Sequence, residues 1–214
     1  MKSALILGAG EFGGTIARRM NDLNCDVLII DSNEDRINEI MPYVTGARIG
    51  DCCNRELLES IGVDNFDVCI VAVGGLFQTS LEATCTLKEL GAEFVMARAT
   101  NDVQMKFLKM VGADEVAYPE KQTAIRFATK YASDRILDFI QLDKNYSIYE
   151  MVVPKEWFGK TLPQIDVRRK FNVNIITIKR GEEVFIPSAE TKLVEGDVTF
   201  VIGEIKDILK CFKV

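Results

Sequence analysis

The sequence predicts an α/β protein: a Rossmann-like, doubly wound parallel sheet followed by a smaller C-terminal α+β domain. Three observations predict it. Short β-rich runs alternate with helix-length amphipathic segments over residues 2–140, a glycine-rich loop follows the first run, and the hydrophobic period changes beyond Asn145. The expected division is residues 1–140, including a crossover helix, and residues 141–214.

The expected strands are Ser3–Leu7, Asp26–Ile30, Ala47–Ile49, Val68–Val73, Phe94–Ala97 and Glu115–Ala117, enough for a full doubly wound sheet. A helix is expected over Thr15–Leu23, and three later helices end alike, at Ile61-Gly62-Val63-Asp64, Leu90-Gly91-Ala92-Glu93 and Val111-Gly112-Ala113-Asp114. Each places glycine where a helix exit needs a left-handed residue. Pro119 opens a helical stretch expected from Lys121 to about Phe139, in which Ala124, Ala128 and Ala132 recur every four residues. Such a small-residue stripe suits packing on its own sheet or a crossover helix joining subunits or subdomains. Beyond it, Ser147–Val153 alternates, Asn174–Lys179 and Val184–Pro187 read as a hairpin around Arg180-Gly181-Glu182-Glu183, and Val198–Gly203 precedes a short helix from Ile205.

Composition narrows the function. The 214 residues are 48% apolar and 27% charged, as in an ordinary globular chain, and no apolar run approaches the ~20 residues of a membrane-spanning helix. The N-terminus lacks the basic and apolar regions of a signal peptide, so a cytosolic chain is expected. The net charge of −6, with the acidic excess in the first two-thirds, argues against non-specific nucleic-acid or acidic-lipid binding. There is no histidine, which removes Ser-His and Cys-His nucleophiles and His-ligated zinc. The six cysteines show no CxxC spacing and are expected to be reduced; adjacent Cys52 and Cys53 rarely meet disulfide geometry.

Gly8-Ala9-Gly10-Glu11-Phe12-Gly13 matches G-x-G-x-x-G directly after an apolar strand and before a helix. In that context Gly8 permits the tight turn, Gly10 leaves room for a phosphate, and Gly13 lets helix pack on strand. Asp31 ends the second strand 18 residues after Gly13, where a carboxylate can accept from both ribose hydroxyls and repel the extra phosphate of NADP. The pattern points to adenine-nucleotide binding; the alternative is a Rossmann fold whose site is unused.

Glu11 is the odd residue, because a carboxylate there repels a triphosphate. A divalent cation or Arg98, at the end of the fifth strand, could offset it, or Glu11 points to solvent; Arg98 could equally be a surface ion pair. Asp51, after Gly50, either accepts from an adenine amino group or caps the helix containing Leu57 and Leu58. Val73-Gly74-Gly75 ends the fourth strand without blocking the crevice, and Phe12, Ser32, Cys52, Val73 and Gly74 complete the candidate lining. Gly159-Lys160-Thr161 resembles a Walker A tail, but Pro154 stands where that loop needs glycine.

These residues together resemble the cytosolic regulators of Trk/Ktr potassium uptake systems, built from an RCK (also KTN or TrkA-N) domain plus a TrkA-C domain. The resemblance covers essentially the whole chain. It is carried by Gly8–Gly14, Asp31, Gly50-Asp51, Val71-Ala72-Val73-Gly74, Gly112-Ala113-Asp114, Tyr118-Pro119-Glu120-Lys121, Glu195-Gly196-Asp197 and Val201-Ile202-Gly203. It implies a non-enzymatic sensor that forms dimers and a ring, typically of eight subunits, beneath a membrane-embedded potassium translocating subunit. ATP and ADP, or NAD and NADH, are the implied ligands. By position, Gly8, Gly10 and Gly13 would hold phosphates, Asp31 the ribose, Asp51 the adenine region and Arg98 phosphate charge. Glu120 would help bind a divalent cation, Mg or Ca, between nucleotides across the dimer. Glu11 departs from the pattern, because Ktr-type members usually carry Arg there. Asp166-Val167-Arg168, Asn174, Ile176 and Pro187 resemble the pattern of members whose TrkA-C dimer binds cyclic di-AMP, although such strand residues also serve simply as core.

Two other functions remain as alternatives. A small NAD-dependent oxidoreductase needs an acid or base near the nicotinamide, and the C-terminal module offers no such constellation. A transcriptional regulator needs a basic helix-turn-helix, which neither terminus supplies.

Overall fold

The computed structural model describes residues 1–73, 75 and 77–214. The chain divides into two compact units, Met1–Lys121 and Gln122–Val214.

In the first unit, strands β1 (Ser3–Leu7), β2 (Asp26–Asp31), β3 (Gly46–Ile49), β4 (Val68–Val71), β5 (Val95–Arg98) and β6 (Glu115–Ala117) alternate with helices. These are α1 (Glu11–Asp22), α2 (Glu34–Ile40), α3 (Arg55–Ile61), α4 (Phe77–Glu89) and α5 (Asp102–Met110); α6 (Pro119–Tyr131) follows β6 and runs across the division, with most of its residues in the second unit. The strands pair in parallel in the order β3-β2-β1-β4-β5-β6, the doubly wound arrangement expected. Central β1 is apolar at successive positions because both its faces are covered: Leu5 and Leu7 join one core cluster and Ile6 the other, all fully buried. Each such side chain contributes about 1.5–3 kcal/mol of burial. Gly62, Gly91 and Gly112 leave their helices at φ of 70, 86 and 104°, as their sequence positions predict.

The second unit is a five-stranded antiparallel sheet, β10-β9-β11-β8-β7, made from β7 (Ile136–Gln141), β8 (Tyr146–Val152), β9 (Asn174–Arg180), β10 (Glu183–Phe185) and β11 (Val198–Glu204). Short helices α7 (Leu162–Ile165) and α8 (Val167–Phe171) lead into β9, and α9 (Ile205–Phe212) follows β11. Its core holds Tyr149, Met151, Ile178, Val201, Ile208 and Phe212. The hairpin lies where expected: Arg180 pairs with Glu183, and Gly181 takes φ 59° in the turn.

One expected element is corrected. The helix beginning near Lys121 does not reach Phe139; α6 stops at Tyr131, and Ile136–Gln141 is a strand paired with β8. The alanine period stops at Ala132, beyond which Ile136, Phe139 and Ile140 favour a pleated surface, and Phe139 stacks on Tyr149 at 5.3 Å between ring centroids. No residue of α6 is buried, so packing of the alanine stripe on its own sheet is not what the structure shows. Among the described residues no helix is long and apolar enough to cross a membrane.

Candidate functional site

All six parallel strands end on one rim, and the reversal of strand order between β1 and β4 opens a crevice there. Gly8 makes the first bend at φ 106°, and a Cβ on it would lie 3.0 Å from backbone atoms of Ala72 and Val73. Only glycine fits. At Gly13 a Cβ would lie 1.9 Å from the Gly8 carbonyl oxygen, so its absence brings α1 against the loop. Gly10 differs from both. It has an ordinary φ of −67°, and a Cβ there would meet nothing within 4 Å. Protein packing does not demand glycine at this position; an anion approaching the backbone would. Gly10 also gives α1 no side-chain cap, whereas Asn33, Asn54 and Asn101 cap α2, α3 and α5. The first-turn amides of α1 therefore face the crevice without a capping oxygen, a geometry suited to phosphate.

Gly8, Gly10, Phe12, Asp31, Ser32, Asp51, Cys52, Val73 and Arg98 line a single cleft of about 420 Å³, within the usual size of small-molecule sites. Gly74 lies outside the described residues. Asp31 is buried, 7% exposed, with Oδ2 accepting from the Ala9 amide at 2.7 Å and Oδ1 from the Asn33 amide at 2.8 Å. It thus ties the glycine loop to the end of β2. Each carboxylate oxygen retains a second lone pair for a sugar hydroxyl.

Arg98 ends β5 with its side chain 22% exposed. Its guanidinium lies 5.3 Å from the Phe12 ring centroid, and Nη2 donates to Glu120 in the first turn of α6. Arg98 Nε is buried and has no hydrogen-bond partner among the described residues. Glu120's carboxyl is held below its ordinary pKa by its own backbone N–H and by Arg98. Glu11 is exposed and borders an adjoining cleft with Arg18 and Arg36 instead of the main one. In the first turn of α1 its charge complements the helix dipole. Asp51 is not the cap of α3. That role belongs to Asn54, whose Oδ1 accepts from the Leu57 amide, while Asp51 Oδ1 accepts from the Cys53 amide at 2.9 Å.

Cys52 is pushed up to about 12 by burial and then by the Asp31 charge, and Cys53 to about 11 by burial and Asp51. Neither is a thiolate at neutral pH. With a disulfide reagent at pH 8, Cys52, Cys69 and Cys211 are expected to stay unreacted in the folded protein and to react in denaturant; all three are buried with values near 12. Labelling of native Cys52 would contradict this geometry.

Sequence reasoning missed Arg36, Thr79 and Thr100, which also line the cleft. Arg36 Nη1 lies 3.6 Å from Asp31 Oδ2. Its signal was the Asn33 cap, which starts α2 three residues before Arg36 and turns it toward Asp31. In the second unit, Arg168 on α8 and Asn174 and Ile176 on β9 are exposed, and Pro187, after β10, is half-buried. Ile176 is the residue the β9–β11 register skips, with Ile175 opposite Val201 and Thr177 opposite Phe200.

Fold and cleft define a class: a Rossmann-like domain with a glycine-loop crevice at its switch point, followed by a small antiparallel-sheet module. Residues 4–119 match the TrkA-N domain family and residues 148–213 the TrkA-C domain family. The chain belongs to the TrkA-N/TrkA-C family of potassium uptake proteins. It is 36% identical to the Ktr system potassium uptake protein C of Bacillus subtilis (strain 168), over 97% of this chain and 94% of that protein. Identity to the Ktr system potassium uptake protein A of the same organism is 32% over the same shares. The GsuK RCK domain shares the fold, with a TM-score of 0.69 at 18% identity, covering 99% of this chain and 47% of that one.

Proposed function

We propose that this chain is a non-enzymatic, nucleotide-sensing regulatory subunit of a potassium uptake system. It takes an adenine nucleotide in the Gly8–Gly13 cleft and acts on the cytoplasmic side, as a homo-oligomeric ring, against a separate membrane-embedded translocating subunit. The observation that carries the reading is Gly10, a glycine that neither φ nor packing requires, at an uncapped helix N-terminus. Arg98 supports it, because its partly exposed guanidinium lines the same cleft and supplies positive charge there. The residues fit the group: Gly8, Gly10 and Gly13 with the α1 amides would hold phosphate, Asp31 the ribose, Asp51, Ser32 and Cys52 the adenosine end, and Phe12, Val73 and Arg98 the walls.

A dinucleotide such as NAD or a mononucleotide such as ATP or ADP satisfies these contacts. Among the described residues no three His, Cys, Asp or Glu side chains gather as a metal site. A Mg or Ca ion bridging nucleotides would therefore draw most of its oxygen ligands from phosphate and water, with Glu120 as the protein's share. Arg168, Asn174, Ile176 and Pro187 are the residues a cyclic di-AMP bound to a TrkA-C dimer would meet. Regulation then follows from differential affinity: a nucleotide shifts the ring only as far as it binds one ring shape better than another, and several sites add their preferences.

The test is Asp31→Ala, titrated with ATP, ADP, AMP, NAD and NADH. Loss of hydrogen bonds between a carboxylate and ribose hydroxyls is expected to weaken every ligand that binds the unsubstituted chain by about 10–100-fold. Unchanged affinities would move the ligand out of this cleft.

A further inference from the structure

We infer that the second unit holds a ligand site of its own, a donor-rimmed cavity that takes a small carboxylate or phosphate with an apolar body, seated between Trp157 and the ammonium groups of Lys160, Lys170 and Lys213. It shares no lining residue with the Gly8–Gly13 cleft, and Arg168, Asn174, Ile176 and Pro187 do not line it either, so it does not rest on the nucleotide reading. The cavity holds about 220 Å³ and forms where the 3₁₀ turn Lys155–Trp157, α7, α8 and the end of α9 meet. Its floor is apolar, with Ile165, Phe171 and Cys211 beside the indole. Trp157 packs on Phe212 at 4.9 Å between ring centroids and is only 8% exposed. A buried tryptophan ordinarily gives its N–H a partner. This one meets no acceptor among the described residues, yet it is not sealed in the core, so it opens on the cavity that the ring lines.

The rim donates almost throughout. The Lys160 ammonium has no partner among the described residues. Lys170 gives one N–H to the Ile165 carbonyl at 2.9 Å and Lys213 gives one to Glu156 at 2.8 Å, which leaves two on each ammonium. The side-chain oxygen of Gln164 accepts from the Thr161 amide at 2.8 Å, which leaves its NH₂ group unused. Three cations therefore border the cavity against one carboxylate, Glu156, that is already paired. Donors crowded over an apolar floor fit an oxyanion that carries an apolar body.

Trp157 is the single tryptophan of the chain, so its emission reports on this cavity directly. Benzoate and phenyl phosphate, each titrated against the full chain, are the probes, and at least one is expected to change that emission saturably. Benzyl alcohol, the same body without the charge, and inorganic phosphate, the charge without the body, should bind about tenfold more weakly or worse. The tighter of the two aromatic anions identifies carboxylate or phosphate as the preferred head group. Lys160→Gln, a change on an exposed side chain, should weaken that anion about three- to tenfold. Trp157→Phe keeps a ring on Phe212 and removes the N–H, and ligand-observed NMR should show a similar loss there. No saturable response to either aromatic anion, benzyl alcohol or inorganic phosphate binding as tightly as they do, or an affinity unchanged by Lys160→Gln would each overturn the inference.

Discussion

Gly13→Ala is expected to abolish nucleotide binding and to loosen the first unit. The added Cβ would sit 1.9 Å from the Gly8 carbonyl oxygen and 2.9 Å from the Ala72 Cβ, both on the crevice side of the helix. Neither the carbonyl, in a loop whose Gly8 amide bonds Ile30 at 2.7 Å, nor buried Ala72 can swing aside. α1 must therefore back away, carrying with it the amides that would face the phosphate. Losing two such charge-assisted hydrogen bonds corresponds to about a 100-fold or greater drop in affinity. Overpacking of this kind costs about 1–3 kcal/mol of stability as well. Calorimetric titration together with denaturant unfolding reads both effects, and a variant with unchanged affinity would mean that phosphate does not rest on α1.

Asp197→Ala is expected to have the largest effect on the second unit. The side chain is fully buried and accepts from Arg180 Nε at 2.7 Å, Arg180 Nη2 at 2.8 Å and the Val194 amide at 2.9 Å. It closes the turn at Gly196, φ 84°, that sends the chain into β11. Breaking a buried pair costs 3–5 kcal/mol when the remaining charge stays buried, but Arg180 is 42% exposed and rehydrates, so about 2–3 kcal/mol is expected. The pH dependence carries the sign of a depressed carboxyl. Burial raises the Asp197 pKa, yet the bonds from Arg180 and Val194 outweigh it and hold the group below its ordinary value. Its contribution is therefore complete above the unfolded value of about 3.9 and fades as pH falls through the lower native one. The gap between Asp197→Ala and the unsubstituted chain, measured by urea unfolding, should narrow below about pH 4. A constant gap would mean that Asp197 acts by shape alone.

The parts of the fold that the sequence makes legible are those fixed locally. β1 announces itself because a strand buried on both faces must be apolar throughout, and Gly62, Gly91 and Gly112 because a left-handed exit favours glycine. β7 was hidden, since Ala124, Ala128 and Ala132 keep a helical period up to the strand, and only its pairing with β8 decides Ile136–Gln141. Asp51 reads as a candidate cap of α3, but the Leu57 amide donates to Asn54, three residues on, which the sequence reading passed over.

The cleft follows the same rule. Gly8, Gly10, Gly13 and Asp31 belong to one strand-to-helix bend and its neighbour, so their spacing carries the geometry. Arg98 and Glu120 are 22 residues apart and meet only through the parallel β5–β6 register, which no local pattern records. Arg36 reaches Asp31 because Asn33 fixes where α2 begins.

The most direct measurement is a calorimetric titration of the full chain and of Gly10→Ala with ATP, ADP, AMP, NAD and NADH. Alanine fits the φ of −67° and would touch nothing within 4 Å, so the fold should be kept, at a cost of about 1 kcal/mol for alanine in place of glycine at a helix N-cap. If a phosphate packs against that bare backbone, the added methyl group occupies its place. At least one nucleotide should bind the unsubstituted chain, and its affinity should fall about tenfold or more in Gly10→Ala. Equal affinity in the two proteins, or no binding to either, would contradict the account.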